Sequence, residues 1–247
     1  MDRVFFIVGP TAVGKSEIAA EVAHRLGAEV LSADAFQIYR GLDLLTAKPD
    51  RATLTKAPHH LIGAVPLSEA MNAEKFRERA HAIIERGKPM IVVGGTGLYI
   101  KALTHGLAEL PSAHPKLREK LERTTRNELF RSLQALDPAT AATIDRHNRR
   151  RLIRAVEICL LTGKPFSAQR TQWSEATAEG IFLTRERAEL YARINQRVDQ
   201  MFAAGVVDEI RAGKNLGPTA EKTIGVREIR ALIAGEISQA ECIARIQ

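Results

Sequence analysis

Gly9-Pro10-Thr11-Ala12-Val13-Gly14-Lys15-Ser16 sets two glycines either side of four residues and follows the second with a lysine and a serine. That spacing is a phosphate cradle of the kind found in ATP-binding and other nucleotide-binding proteins. The glycines let backbone N–H groups converge on phosphate oxygens, Lys15 adds a positive charge, and the Ser16 hydroxyl can ligate Mg²⁺. Gly9 through Ser16 are therefore candidate phosphate or diphosphate ligands. Lys15 is also a catalytic candidate and Ser16 the metal candidate. A glycine-rich turn that binds nothing is the bland alternative, and the flanking sequence argues against it. The motif does not choose between a kinase, an ATPase and a transferase of some other diphosphate.

Two further residues are placed to act with the cradle. Asp34 follows the run Glu29-Val30-Leu31-Ser32, and a carboxylate there could take a proton from an attacking group or bind a metal. It could equally cap a turn within Ser32-Ala33-Asp34-Ala35. Thr96, in Gly94-Gly95-Thr96-Gly97, could donate a hydrogen bond into the same site or cap the helix that follows.

The elements that must position these residues are legible around them. Val4-Phe5-Phe6-Ile7-Val8 predicts a buried strand leading into the glycine loop. Ile18, Ala19, Val22, Ala23 and Leu26 recur at helical spacing, with Gly27 placed to end the helix. Glu29–Ser32 predicts a second strand. In open parallel sheets, ligands bind at the C-terminal edge that both strands reach. Ser68 to Arg86 has helical periodicity and leads to the strand Met90-Ile91-Val92-Val93. From Pro115 to about Gln172 strand signals vanish and the pattern is helical. Gly180-Ile181-Phe182-Leu183-Thr184 predicts a return to the sheet, and the chain is helical again from Arg185. The expected architecture is α/β, a mostly parallel P-loop sheet flanked by helices, with an all-helical insertion. Residues 1–114 and 179–247 form the core and 115–178 the insertion.

Composition sets outer bounds. The 247 residues are 45% hydrophobic and 26% charged, enough for a large core, and no apolar run approaches the ~20 residues of a membrane span. The N-terminus carries no secretion or transit signal, so a cytoplasmic protein is expected. Cys159 and Cys242 lie outside any Cys-x-x-Cys or Cys/His cluster, which argues against a disulfide framework or zinc site. The net charge of +7 favours a polyanionic partner. Arg146, Arg149, Arg150, Arg151 and Arg154 concentrate that charge, although a solvated helix face would look the same.

A resemblance extends these readings. The cradle, then Ala33-Asp34-Ala35-Phe36-Gln37-Ile38-Tyr39-Arg40-Gly41-Leu42-Asp43, Thr46-Ala47-Lys48-Pro49, Val93-Gly94-Gly95-Thr96-Gly97-Leu98-Tyr99, Asp137-Pro138 with Arg149–Glu157, Leu161–Pro165 and Thr223–Glu228 resemble, in order, the tRNA dimethylallyltransferase family. The match spans almost the whole chain. It implies transfer of a five-carbon group from dimethylallyl diphosphate to N6 of the adenosine 3′ of the anticodon, with pyrophosphate leaving and no ATP consumed. On this resemblance Asp34 matches the general base, Asp34, Ala35, Phe36 and Gln37 would contact a flipped adenosine, and Thr96 would line the channel where donor and acceptor meet. Arg118, Arg150, Arg151, Arg154 and Lys222 to Arg227 match tRNA-contacting positions. Arg193 and Arg197 could add charge beside the diphosphate. Mg²⁺ is the expected cofactor, the tRNA anticodon stem-loop the expected partner, and a monomer the expected state.

Two departures accompany the resemblance. Members usually continue into a basic segment with Thr-Arg and Lys-Arg-Gln motifs, whereas this sequence stops at Gln247. Weaker tRNA holding is expected from that, with the chemical site complete. Ala35-Phe36 stands where Ser-Met is commoner, which predicts altered contacts to the target base. The rivals are an adenylate isopentenyltransferase acting on free AMP, a P-loop small-molecule kinase and an RNA-binding module without activity.

Overall fold

In the computed structural model, residues 3–169 and 178–247 are described. The elements run β1 Val4–Val8, α1 Lys15–Leu26, β2 Glu29–Ser32, α2 Arg51–Leu54, β3 His59–His60, α3 Ala73–Ile84, β4 Met90–Gly94 and α4 Gly97–His105. They continue α5 Pro115–Arg123, α6 Arg126–Leu136, α7 Pro138–Thr143, α8 Arg149–Thr162, β5 Glu179–Phe182, α9 Arg187–Ala203, α10 Val206–Ala212, α11 Val226–Ile233 and α12 Gln239–Ile246. Among the described residues the strands form one sheet in the order β3-β2-β4-β1-β5, with every neighbouring pair parallel. No described helix is long and apolar enough to cross a membrane.

The chain divides into two compact units, residues 1–105 with 175–247, and residues 106–174. The sequence pattern predicts the first boundary at 115. The chain leaves the sheet unit earlier, where α4 ends at His105 and Gly106 turns with φ 76°. The stretch 170–177, assigned by sequence pattern to the end of the insertion, lies outside the described residues.

In the sheet unit, β4 is buried at every residue and β2 at all but its first, as expected for central parallel strands covered on both faces. Ile7, Val30, Ile91 and Val93 from three adjacent strands pack against Ala19 and Ala23 of α1. Small residues let this helix approach closely. Ile18 and Leu26, expected on its buried face, are exposed instead, because the contact is made by alanines. Gly27 ends α1 in the left-handed conformation (φ 62°). The expected helix from Ser68 starts only at Ala73, where the Asn72 side chain accepts from the Lys75 N–H and captures an orphan donor of the first turn. The expected strand from Gly180 is shifted slightly earlier, and Leu183 N–H still donates to Val8 O at 2.8 Å.

The second unit has its own core of Leu121, Leu129, Leu133, Leu152, Ile153 and Val156 from α5, α6 and α8. Asp137 starts α7 and is buried, accepting from Thr140 N–H and from both the amide and hydroxyl of Ser167. Burial pushes its pKa up, but these three hydrogen bonds, one from Thr140 and two from Ser167, win and carry it from 3.8 to about 2.

Candidate active site

Sheet order explains why residues distant in sequence meet. β2, β4 and β1 are adjacent, so the loops leaving their C-terminal ends lie side by side. Those loops carry Asp34, Gly95-Thr96 and the glycine cradle. The ladder continues past β2, with Ala33 N–H donating to Val93 O at 2.7 Å. The approach is so close that a Cβ on Gly94 would stand 2.4 Å from Ala33 O, and one on Gly9 would stand 2.5 Å from Leu183 O. Only glycine fits at either place.

The result is a cleft of about 580 Å³ lined by the cradle, Asp34, Phe36, Gln37, Thr46 to Pro49, Gly94 to Thr96, Arg197 and Thr223-Ile224. Lys15 Nζ donates to Pro10 O at 2.6 Å. Burial lowers its pKa below the ordinary lysine value, Asp34 pulls it partly back, and Arg197 lowers it further. Arg197 is itself lowered by burial, opposed by Glu17 and reinforced by Arg193. Like charges crowded out of water in this way favour an incoming anion.

Three arginines hold the cradle from outside. Arg185 Nε donates to Val13 O at 3.1 Å, Arg193 Nε to Ala12 O at 2.7 Å, and Arg197 Nη1 to Thr11 Oγ1 at 3.5 Å. Ala12 has φ 61°, an unfavourable conformation for a residue with a Cβ that costs about 1 kcal/mol. The bond from Arg193 offsets it. Val13 is part of the cradle by its backbone, while its side chain is buried away from the cleft. Nothing in the sequence around Arg185 signals a partner so far upstream.

Asp34 caps a turn with one of its two carboxylate oxygens. Oδ1 accepts from the amides of Phe36 (2.8 Å) and Gln37 (3.1 Å), a turn-capping arrangement. Oδ2 receives no hydrogen bond from the described residues and belongs to a side chain that lines the cleft. Thr96 does not cap α4 with its hydroxyl. Its Oγ1 accepts from Ala35 N–H at 3.1 Å, which leaves the hydroxyl proton to donate elsewhere. Ala35 thus contributes its amide, whereas Phe36 and Gln37 line the cleft themselves. The described residues hold no cluster of three or more His, Cys, Asp or Glu able to bind a metal alone. The oxygen donors on the cleft wall, Ser16 and Asp34, are of the type that suits a hard cation completed by substrate phosphate oxygens.

The expected RNA-binding residues fall in two groups. In the helical unit, Glu157 is fully buried and neutralised by Arg118 and by Arg154 (3.1 Å), and it also accepts from His114 N–H at 3.1 Å. Arg154 further donates to Pro111 O, and Arg149 to Glu122 O and Thr124 O. These guanidinium groups organise the fold. Arg150 and Arg151 are exposed and form no ion pair among the described residues. In the sheet unit Lys222 is exposed, Arg227 is exposed and paired with Glu228 at 2.8 Å, and between them Thr223 and Ile224 reach the cleft.

Comparison with known proteins gives the family. The family model described as IPP transferase matches residues 37–247. The tRNA dimethylallyltransferase 1 of Citrifermentans bemidjiense is 42% identical over 99% of this chain and 84% of its own length. That of Akkermansia muciniphila is 40% identical over 96% and 82%. The crystal structure of a tRNA isopentenylpyrophosphate transferase from Bacillus halodurans superposes with TM-score 0.67 at 35% identity, covering 100% of this chain and 82% of that one. A eukaryotic dimethylallyltransferase acting on tRNA superposes with TM-score 0.80 at 25% identity, covering 99% and 66%. With a cradle, a carboxylate and a threonine converging on one cleft, and with relatives of this identity along nearly its whole length, the chain belongs to the IPP transferase family.

Proposed function

We propose that this protein transfers the dimethylallyl group of dimethylallyl diphosphate to N6 of the adenosine 3′-adjacent to the anticodon of tRNA, releasing pyrophosphate. The observation that carries this reading is the convergence on one cleft of an anion cradle and a carboxylate oxygen without a partner among the described residues. The C–O bond to the diphosphate breaks as the bond from N6 to the prenyl carbon forms. The bonding pair leaves with pyrophosphate, where the cradle amides, Lys15 and Arg197 stabilise it. The proton of the exocyclic amine passes to Asp34 Oδ2. Thr96, fixed by Ala35, donates its hydroxyl proton into the space between. Mg²⁺, held by Ser16 and the diphosphate oxygens, would supply further charge for the leaving group.

A second cavity of about 550 Å³ supports a two-sided arrangement. Val8, Ile100 and Phe182 make its surface mainly apolar, Thr104, Thr184, Lys101, His105 and Arg185 also border it, and it shares Gly9, Pro10, Gly94 and Gly95 with the first. The cradle thus stands between a polar cleft suited to a nucleotide and an apolar one suited to a prenyl chain. A base must leave its stack to enter the first, at a cost of a few kcal/mol in a single-stranded loop. Phe36 and the exposed Ile224 offer apolar surface to receive it. Arg150 and Arg151, exposed and without an ion pair among the described residues, offer charge to RNA phosphate, and the setting is the cytoplasm, where the tRNA substrate is met.

Labelled dimethylallyl diphosphate offered with tRNA, with AMP or with no acceptor tests the reading. Label in tRNA alone is expected. Label only in AMP would replace it with the adenylate isopentenyltransferase, and ATP-dependent phosphorylation without prenyl transfer would replace it with a kinase.

A further inference from the structure

Glu209, in the first turn of α10, accepts three consecutive backbone amides. Oε1 takes Asp43 N–H (2.6 Å) and Leu44 N–H (2.8 Å), and Oε2 takes Leu45 N–H (2.9 Å). A carboxylate gathering three adjacent amides fixes that loop far more firmly than neutral bonds would. The next two residues, Thr46 and Ala47, line the cleft and turn their carbonyls onto Gln37. Gln37 Nε2 donates to Thr46 O at 3.2 Å and to Ala47 O at 3.1 Å. Ser32 Oγ donates to Gln37 Oε1 at 3.2 Å.

The Gln37 amide has little hydrogen-bonding capacity left over. Both its hydrogens are spent on two carbonyls, and one of two lone pairs on Oε1 is spent on Ser32. Which way the amide faces is dictated by its partners, since two carbonyls can be met only by the nitrogen. What Gln37 retains for the cleft is a single acceptor. An acceptor held there favours a ring bearing an exocyclic amine over one bearing a carbonyl, because the latter would leave two oxygens opposed. Ala47, at φ 47°, adopts a backbone conformation that needs support, so the carbonyls are correctly aimed only while the loop is held.

We propose that Glu209 is a positioning residue for acceptor choice: by gathering the amides of residues 43–45 it aims the Thr46 and Ala47 carbonyls, which orient Gln37 as an acceptor toward the target base. This rests on the reading of the cleft as the acceptor site. The test uses anticodon stem-loops that differ only in having adenosine or inosine at the target position, the inosine loop serving as a competitive inhibitor. In the wild type the adenosine loop is favoured. Glu209→Ala is expected to shrink that preference about fivefold while the KM for dimethylallyl diphosphate stays within about twofold. Glu209→Gln, which keeps one acceptor oxygen, should recover part of it. An unchanged preference in both variants, or a donor KM rising in step with both loops, overturns the proposal. If Glu209→Ala does not fold by circular dichroism, the preference in Glu209→Gln decides alone. A wild type that prenylates neither tRNA nor its stem-loop would instead remove the functional reading beneath it.

Discussion

The Thr96 hydroxyl accepts the amide of Ala35 at 3.1 Å, tying the loop after β4 to the turn after β2. Asp34, one residue earlier, is thereby held at the edge of the cradle although sixty residues of chain separate the two loops. The bond makes the threonine a scaffold and leaves its hydroxyl proton to donate. Thr96→Ser keeps both capacities and is expected to retain most activity. Thr96→Val removes both, and kcat/KM should fall about a hundredfold. Equal activity in the two variants would show that the hydroxyl has no role.

Asp34→Asn separates the two jobs of Asp34. Asparagine retains an oxygen for the Phe36 and Gln37 amides, so the turn persists, but it cannot take a proton. The expected result is a fall in kcat of about 10²- to 10⁴-fold with pyrophosphate affinity little changed. Isothermal titration with pyrophosphate beside single-turnover transfer would separate the two. Comparable losses in both measurements would mean that Asp34 chiefly builds the site.

Lys15 loses water in the cradle before its ligand arrives, and this gives a pH dependence. Burial depresses the Lys15 pKa in the free protein, and a bound anion favours the protonated form and raises it. Pyrophosphate affinity should therefore be greatest below the free-protein pKa of Lys15 and fall as pH rises through it, below 10.5. Lys15→Met should weaken binding and flatten this limb. Persistence of the limb in that variant would assign it to another group.

Asp137 gives a stability test in the helical unit. Its pKa of about 2 in the folded chain lies below the ordinary 3.8. The stabilisation is therefore complete above pH 3.8 and is lost as pH falls through about 2. Asp137→Asn should cost about 2 kcal/mol at neutral pH and flatten the acid limb of the stability curve. Denaturant melts across that range measure both.

The arginines separate by their partners. Arg150→Ala and Arg151→Ala should each lower the salt slope of tRNA affinity by about one. Arg154→Ala strips a partner from the buried Glu157 and should destabilise the fold by about 3 kcal/mol. Equal salt slopes in wild type and in the Arg150 and Arg151 variants would place those two arginines outside the RNA surface.

These contrasts show what could be read in advance. The cradle, Asp34 and Thr96 were legible because each stands at the end of a strand whose apolar residues mark it locally, and a parallel sheet gathers such ends. The arginine cluster was visible as charge, but its division was not. Whether Arg154 or Arg150 is free depends on Glu157 being buried beneath one and not the other. The clasp of Arg185 on Val13 and of Glu209 on residues 43–45 was invisible, since each joins segments more than 160 residues apart through backbone groups that every residue possesses. The two-residue strand His59–His60 is too short to carry a pattern.

The central claim is that the cradle holds a departing pyrophosphate and that the cleft beside it holds a tRNA base. The most direct measurement is to react the protein with dimethylallyl diphosphate and tRNA in the absence of ATP, quantify pyrophosphate, and digest the tRNA to nucleosides for mass analysis. One N6-dimethylallyladenosine per pyrophosphate released is expected. A requirement for ATP, with ADP as product and unmodified adenosine in the tRNA, would contradict it.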